Sequence, residues 1–354
     1  MKANRLLLGL VVATLLLASC TAAPQPTPTP VPAPPSPTPA RPSLITSRMG
    51  EPEDIEPGEA DIQAGRLALG ERFIGIISCT MGTEYHSTVA NEAKQRLEGL
   101  GLRAEIFDSK AEADTQAGAI RDFMERGAAA IIICVLDPQM VSDAVWEASN
   151  SGIAIVQFAG RDTSANGISI SAEDSDLGCA AGTIAGEAIR AEKNGEATVA
   201  ILDYPDLPAL AERTESIEKC LKMSAPTATI LCCYLGGTSE NGKASMEAAL
   251  EIHPDIDAVV SINDAGAYGA IEALDAAGKD GRGTIVVGID GEARALEMIE
   301  RGDYFRGTVD TNPALTGRMA ANGVIMLLAG KTVPKSVKVP VNPITPGSLP
   351  IPSP

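Results

Sequence analysis

The sequence predicts an α/β protein made of two doubly wound lobes, each a parallel sheet covered by helices, and three observations carry this prediction. First, residues 258–313 alternate strand-like and helix-like runs. Val259-Val260 leads into Ser261-Ile262-Asn263-Asp264, then a small-residue helical segment, then Thr284-Ile285-Val286-Val287-Gly288-Ile289-Asp290-Gly291. A second helical segment ends in Arg306-Gly307-Thr308-Val309-Asp310-Thr311. Each β-branched run finishes in polar side chains, which a parallel sheet delivers to the carboxyl ends of its strands, where open α/β sheets bind ligands. Second, residues 73–171 alternate strand and helix four times. Third, about 280 residues of ordinary globular composition follow a proline-rich stretch, enough chain for two separate cores.

The first lobe opens with the apolar run of residues 73–77, bounded by Ser78-Cys79-Thr80. Tyr85, Val89, Ala93 and Leu97 then recur four apart, which is a helical stripe. Strands are predicted over residues 102–107, 130–135 and 153–158. Between them run helices holding Ile120, Phe123 and Met124, and Val141, Val145 and Ala148. Right-handed crossovers make this a doubly wound sheet. Residues 168–171 lead away through Ala172-Glu173-Asp174. The second lobe repeats the scheme with helices near 177–193, 210–221 and 240–252 and strands over 198–202 and 229–234, followed by the 258–313 stretch.

Ahead of both lobes lies an address. Lys2 and Arg5 precede an apolar run over residues 6–17 that ends in Leu17-Ala18-Ser19-Cys20, a secretory signal over residues 1–19. At about 12 residues the run is short for a membrane span, which needs about 20. Cys20 after Leu-Ala-Ser resembles a bacterial lipobox, which would make Cys20 the lipidated first residue of the mature chain. Residues 20–70 read as linker. Residues 21–42 are mostly Pro, Thr, Ala and Ser, a polyproline II tether reaching on the order of 60 Å. Residues 43–70 carry Glu51, Glu53, Asp54, Glu56, Glu59 and Asp61 broken by Pro and Gly, and are read as continued linker with one short helix near 62–69. The net charge of −18 argues against a nucleic-acid partner.

The pattern Asn263-Asp264-x-x-Ala267-x-Gly269-Ala270, followed by Val286-Val287-Gly288-x-Asp290-Gly291, resembles the periplasmic sugar-binding proteins of the ribose-binding type, the type 1 solute receptors of ABC importers. The resemblance spans roughly residues 72–339. It implies a three-segment hinge. Residues 72–172 and 311–333 would form the amino-terminal lobe, 173–310 and 334–345 the carboxy-terminal lobe, and 346–354 a tail. Three crossings of this kind allow two lobes to close over a ligand.

The resemblance also implies ligand contacts, each with a plainer local role beside it. Arg213 matches a second-lobe arginine, a planar fork for vicinal oxygens, or else pairs with Glu212 or Glu215 on a solvated helix face. Asn263 matches an asparagine and Asp290 an aspartate that grip hydroxyls, although both sit where a helix starts, with Asp264 the favoured cap. Tyr85 can stack on a sugar face or belong to the core stripe, and Glu84 stands where the family has a second aromatic. Arg161 and Asp162 invert the family's Asp-Arg pair. Asp137 follows the third strand where an asparagine is common, and Asp310 and Thr311 take the place of a glutamine at the return crossing. The fold motifs are kept better than the pocket motifs, so ribose itself is not the expected ligand, and a different sugar or another small polar molecule, a partly cationic one included, is open.

Cys20 is assigned to lipid, and six cysteines remain in an oxidising compartment. Cys79 and Cys134 end the first and third strands, neighbours in a 2-1-3-4 sheet order. Cys220 precedes a strand bearing Cys232 and Cys233. Disulfides and free buried thiols both remain open, because pairing is not written in sequence. With no Cys-x-x-Cys and only His86 and His253, no zinc-type metal site and no cofactor are expected. There is no Gly-x-Ser-x-Gly, no His-Glu-x-x-His and no Gly-x-Gly-x-x-Gly after the first strand, so no enzyme is expected. The reading is a monomeric, lipid-anchored, extracytoplasmic solute receptor that passes a sugar-like ligand to an ABC permease and touches the membrane only through its anchor. The alternatives are a sensor presenting its closed form to a membrane receptor, or a binder of a nucleoside or amine.

Overall fold

Strands covered by helices on both faces must be apolar throughout, and Phe73–Ser78 and Ala128–Cys134 are buried at every position. The computed structural model describes residues 44–159, 163, 167–205 and 210–349. One sheet comprises β1 (Ile45–Gly50), β2 (Phe73–Ser78), β3 (Ala104–Asp108), β4 (Ala128–Cys134), β5 (Ala154–Phe158), β6 (Ile168–Ser171) and β12 (Val333–Lys338). Their order is β1-β12-β6-β5-β4-β2-β3, so the four strands from β2 to β5 stand 2-1-3-4, and every pairing is parallel. The second sheet comprises β7 (Thr198–Asp203), β8 (Thr229–Leu235), β9 (Ala258–Ser261), β10 (Ile285–Val287), β11 (Phe305–Asp310) and β13 (Asn342–Ile344), in the order β13-β11-β10-β9-β7-β8. Only β13 runs antiparallel, against β11.

Helices fill the crossovers. Those of the first lobe are α1 (Glu59–Leu69), α2 (Glu84–Gly99), α3 (Ala113–Glu125) and α4 (Pro138–Asn150), joined later by α10 (Pro313–Leu328). The second lobe carries α5 (Asp174–Glu192), α6 (Ala211–Ser224), α7 (Ser239–Ile252), α8 (Asp264–Ala276) and α9 (Ala293–Arg301). The stripe of α2 buries Val89, Ala93 and Leu97 with no exposed surface, while Tyr85 at its start stays half-buried. Close helix packing is set by small residues. Along α5, Gly178, Gly182 and Gly186 recur four apart, and a Cβ at Gly178 or Gly182 would lie 2.1 Å from Arg213 O or 2.3 Å from Ile217 O of α6. The α5–α6 contact is further locked by the Cys179–Cys220 disulfide.

Two sequence expectations are corrected. Residues 43–70, marked as linker by composition, instead add β1, a short 3-10 turn at Pro52–Ile55 and α1 to the first lobe. Their acidity hid an apolar face. Ile55 is wholly buried, Ile62 and Leu69 nearly so, and Gly65 packs against Ile325 of α10. The acids have local work: Asp54 pairs with Arg48 and accepts from Glu51 N, Asp61 pairs with Lys331 at 2.8 Å, and Glu56 accepts from Asn322 Nδ2 at 2.6 Å. The second correction concerns the third crossing. Residues 333–337 do not leave the first lobe. β12 pairs with β6, Ser336 opposite Ser169 and Lys338 opposite Ser171, and with β1 on its other edge. The chain enters the second sheet only after Lys338, through β13. Among the described residues no helix is long and apolar enough to cross a membrane.

Candidate functional site

The carboxyl ends of β2, β4, β9, β10 and β11 bring most of the candidate residues to the two facing strand-end surfaces. β2 runs into Cys79, which is bonded to Cys134 at the end of β4 with a Cα separation of 5.2 Å. The two strands are neighbours, so the bond ties together the loops that follow them. Thr83 caps α2 by accepting from His86 N, and its hydroxyl lies 2.7 Å from His86 Nδ1. Glu84 is thereby fixed at the first turn. Its Oε2 accepts a long hydrogen bond, 3.4 Å, from Ala293 N at the start of α9, joining the first lobe to the second.

Tyr85, next to Glu84, feels the second lobe's charges. Burial first, and then the nearby Asp290 carboxyl, push its phenol well above the usual value, while Arg213 and Thr316 pull it down. An aromatic on the helical stripe thus feels the charges of both the aspartate and the arginine matched from the opposite lobe.

On the second lobe, Asn263 is the N-cap of α8, accepting from Gly266 N at 3.0 Å and donating from Nδ2 to Gly237 O at 2.9 Å. The cap expected at Asp264 therefore belongs to Asn263. Asp264 lies one residue inside, wholly buried. Thr308 Oγ1 sits 2.8 and 3.1 Å from its two oxygens, and Glu292 N donates to it at 2.9 Å. Burial raises its pKa to about 7 against these donors, which favour the charged form. Gly288 is required beside it, because a Cβ there would lie 2.0 Å from Asp264 Oδ1.

Asp290 follows β10 and is held in an unusual backbone, with φ +138°. Such strain persists only where surroundings impose it. Here Asp290 N donates to Val309 O at 2.9 Å, and Asp290 and Asp310 form a backbone bridge. Gly291 comes next with φ +73°, and a Cβ there would lie 2.8 Å from Asp310 Cα. Glycine at 291 thus lets the turn press against β11. Burial, then the charges of Asp264 and Glu292, hold the Asp290 carboxyl well above the usual carboxylate range, with Arg213 opposing.

Arg213 does not pair with Glu212 or Glu215 on a solvated face. Its Nε donates to Asp174 Oδ1 at 2.7 Å, and Nη1 donates to Ile262 O at 2.9 Å, with 15% of the side chain exposed. Asp174 opens α5 directly after the first crossing, so the arginine is anchored to the hinge. Asp310 accepts from Asn312 N at 2.7 Å, and the hydroxyl of buried Thr311 finds no hydrogen-bond partner among the described residues. Asp137 caps α4 through Gln139 N at 2.8 Å. Arg161, Asp162 and Cys20 lie outside the described residues.

Asp174, Asp264, Thr308 and Thr316 were not singled out as contacts by sequence. Asp264 had a signal, being next to Asn263 in the recurring pair. Thr308 and Thr316 had none, since their roles come from strands and helices far apart in the chain. Among the described residues two groupings bring metal-ligand atoms together, Cys79 with His86 and Cys134, and Glu218 with Cys232 and Cys233. In both, the sulfurs are joined as disulfides.

Residues 74–332 match the model of the periplasmic binding protein domain. The ribose import binding protein of Bacillus subtilis is 27% identical over 272 residues, covering 77% of this chain and 86% of that protein. Its counterpart in Escherichia coli is 26% identical over 278 residues, 78% of this chain and 90% of that one. Among solved structures, a solute-binding protein of Actinobacillus succinogenes with bound D-allose superposes with a TM-score of 0.70 at 19% identity, over 78% of this chain and 98% of that one. One from Bacillus halodurans with bound myo-inositol gives 0.68 at 24% identity, over 78% and 96%. The family model, the ribose motifs and these two-lobed folds agree, and the chain belongs to the periplasmic binding protein domain family, as a binding protein and not an enzyme.

Proposed function

We propose that the protein is a lipid-anchored solute receptor that captures a monosaccharide or polyol between its lobes and hands it to the permease of an ABC importer. The observation that carries this reading is that Tyr85 of the first lobe lies within electrostatic reach of Asp290 and Arg213 of the second, next to the Glu84–Ala293 N hydrogen bond that joins the lobes. An aromatic face, a carboxyl and a guanidinium form the chemistry that holds a hydroxylated ring: apolar stacking on one side, acceptors and donors on the other. Relatives that import ribose, and structures holding D-allose and myo-inositol, support the ligand class. Ligand that touches both lobes favours the closed arrangement by its differential affinity for it, and no chemical step is involved.

A thermal-shift panel on the full-length protein tests this. A pentose, hexose or cyclitol should raise the melting temperature, by about 2.7 kcal/mol of added stability at a concentration 100 times its Kd. Silence for every sugar and polyol, with a response to a nucleoside or amine, would overturn the ligand class and leave the fold intact.

A further inference from the structure

Given the sugar or polyol site proposed above, on which this inference rests, we infer that Asp174 sets the charge class of the ligand. Paired with Arg213, it leaves the guanidinium as a neutralised fork for the vicinal hydroxyls of an uncharged ligand and so excludes sugar acids. Arg213 Nε donates to Asp174 Oδ1 at 2.7 Å, Nη2 lies 2.6 Å from the same oxygen, and Nη1 donates to Ile262 O, next to Asn263, at 2.9 Å. A guanidinium carries more N–H groups than these contacts use. Among the described residues, one N–H on each terminal nitrogen is left for a ligand. Tyr85 of the opposite lobe feels the charge of this group, which places it toward the cleft.

The pair is built into the backbone. Asp174 is the first residue of α5, where a carboxylate also suits the helix N-terminus, and Arg213 stands in the first turn of α6. One turn into α5, a Cβ at Gly178 would lie 2.1 Å from Arg213 O, so the helices touch at the residue whose side chain reaches across. The Cys179–Cys220 bond closes the same contact. With the two side chains only 15% and 26% exposed, solvent screens them incompletely, and a carboxylate in contact cancels most of the field of the guanidinium. The Asp290 carboxyl lies within electrostatic reach of the same group. A ligand carboxylate brought there would lose its water, meet two acids already in place and find little positive charge to repay it. A pair of hydroxyls loses less water and needs only the remaining N–H groups.

Asp174→Asn keeps the size and the acceptor oxygen that orients Arg213 and removes the charge. Full-length wild type, Asp174→Asn and Asp174→Asn/Arg213→Met are titrated calorimetrically with neutral D-ribose, D-allose, D-galactose and myo-inositol, and with the acids D-ribonate, D-galacturonate and D-glucuronate. The wild type should bind at least one neutral compound and none of the acids. In Asp174→Asn the affinity for at least one acid, relative to the neutral ligand, should rise by at least about tenfold, and Arg213→Met in that background should abolish the gain. Asp174→Ser, which also lacks the charge, gives the same readout should Asp174→Asn fold poorly. A merely structural role would weaken both ligand classes together, so the ratio separates charge selection from packing. A wild type that binds a neutral sugar and a sugar acid equally well, or charge-free variants with unchanged discrimination, would overturn the inference and leave the sugar reading standing. Binding of none of these compounds to the wild type would overturn the sugar reading and the inference with it.

Discussion

Asp290 and Asp264 share one electrostatic problem at the end of β10. Two carboxyls and Glu292 crowd a recess where Arg213 is the opposing charge and is already engaged by Asp174. The carboxyl of Asp264 moves from its usual 3.8 to about 7, chiefly through burial. A folded-state pKa above the unfolded one means that the folded protein holds a proton that the unfolded chain has lost. The contribution to stability is therefore full below about pH 4 and disappears as pH rises toward 7. Asp264→Asn should flatten that slope, and denaturant melts at several pH values check it; an unchanged slope would contradict the assignment. At residue scale the sequence was only half legible. Asn263, Asp290 and Arg213 were singled out through the resemblance, and the solvated-face alternative for Arg213 missed its partner, since Asp174 is 39 residues away and Glu212 and Glu215 were merely adjacent.

Strands and helices were read well where periodicity was strong. The stripe of α2 and the apolar β2 and β4 emerged from sequence because burial on two faces leaves no polar positions to confuse the period. The short helix near 62–69 was read, as the end of α1, but β1 and the packing of residues 44–70 into the lobe were missed for the opposite reason. Their few apolar side chains are separated by acids that serve local caps and ion pairs, so composition resembled a linker. Ile55, Ile62 and Leu69 make this segment part of the first lobe's core. Ile55→Ala should cost about 2–5 kcal/mol in chemical denaturation, the range for emptying a buried site, whereas a linker residue would cost nothing measurable. β1 also lies against β12, the strand that leads into the last crossing, and Lys338 at the end of β12 pairs with Asp176 of α5. The incoming segment is therefore laid beside the hinge itself.

Across the whole molecule, the division into two lobes of alternating strands and helices and the 2-1-3-4 order of β2 to β5 were legible, while the full order of the sheets, the place of β1 and the exact third crossing were not. A strand and a hinge segment share the same short β-branched composition, and pairing partners decide between them. The proposed anchor belongs to this scale as well. Cys20→Ser should move the protein from the membrane fraction to the soluble extracytoplasmic fraction, and retention at the membrane would contradict lipidation. The central claim is that one small ligand is gripped from both lobes. The most direct measurement is calorimetric titration of the full-length wild type, Tyr85→Ala and Asp290→Ala with D-ribose, D-allose and myo-inositol. The account predicts one site per chain for at least one of them, with Asp290→Ala weaker by about 1.5–3 kcal/mol and Tyr85→Ala weaker too. A sugar that binds both variants as tightly as wild type would contradict the two-lobe site.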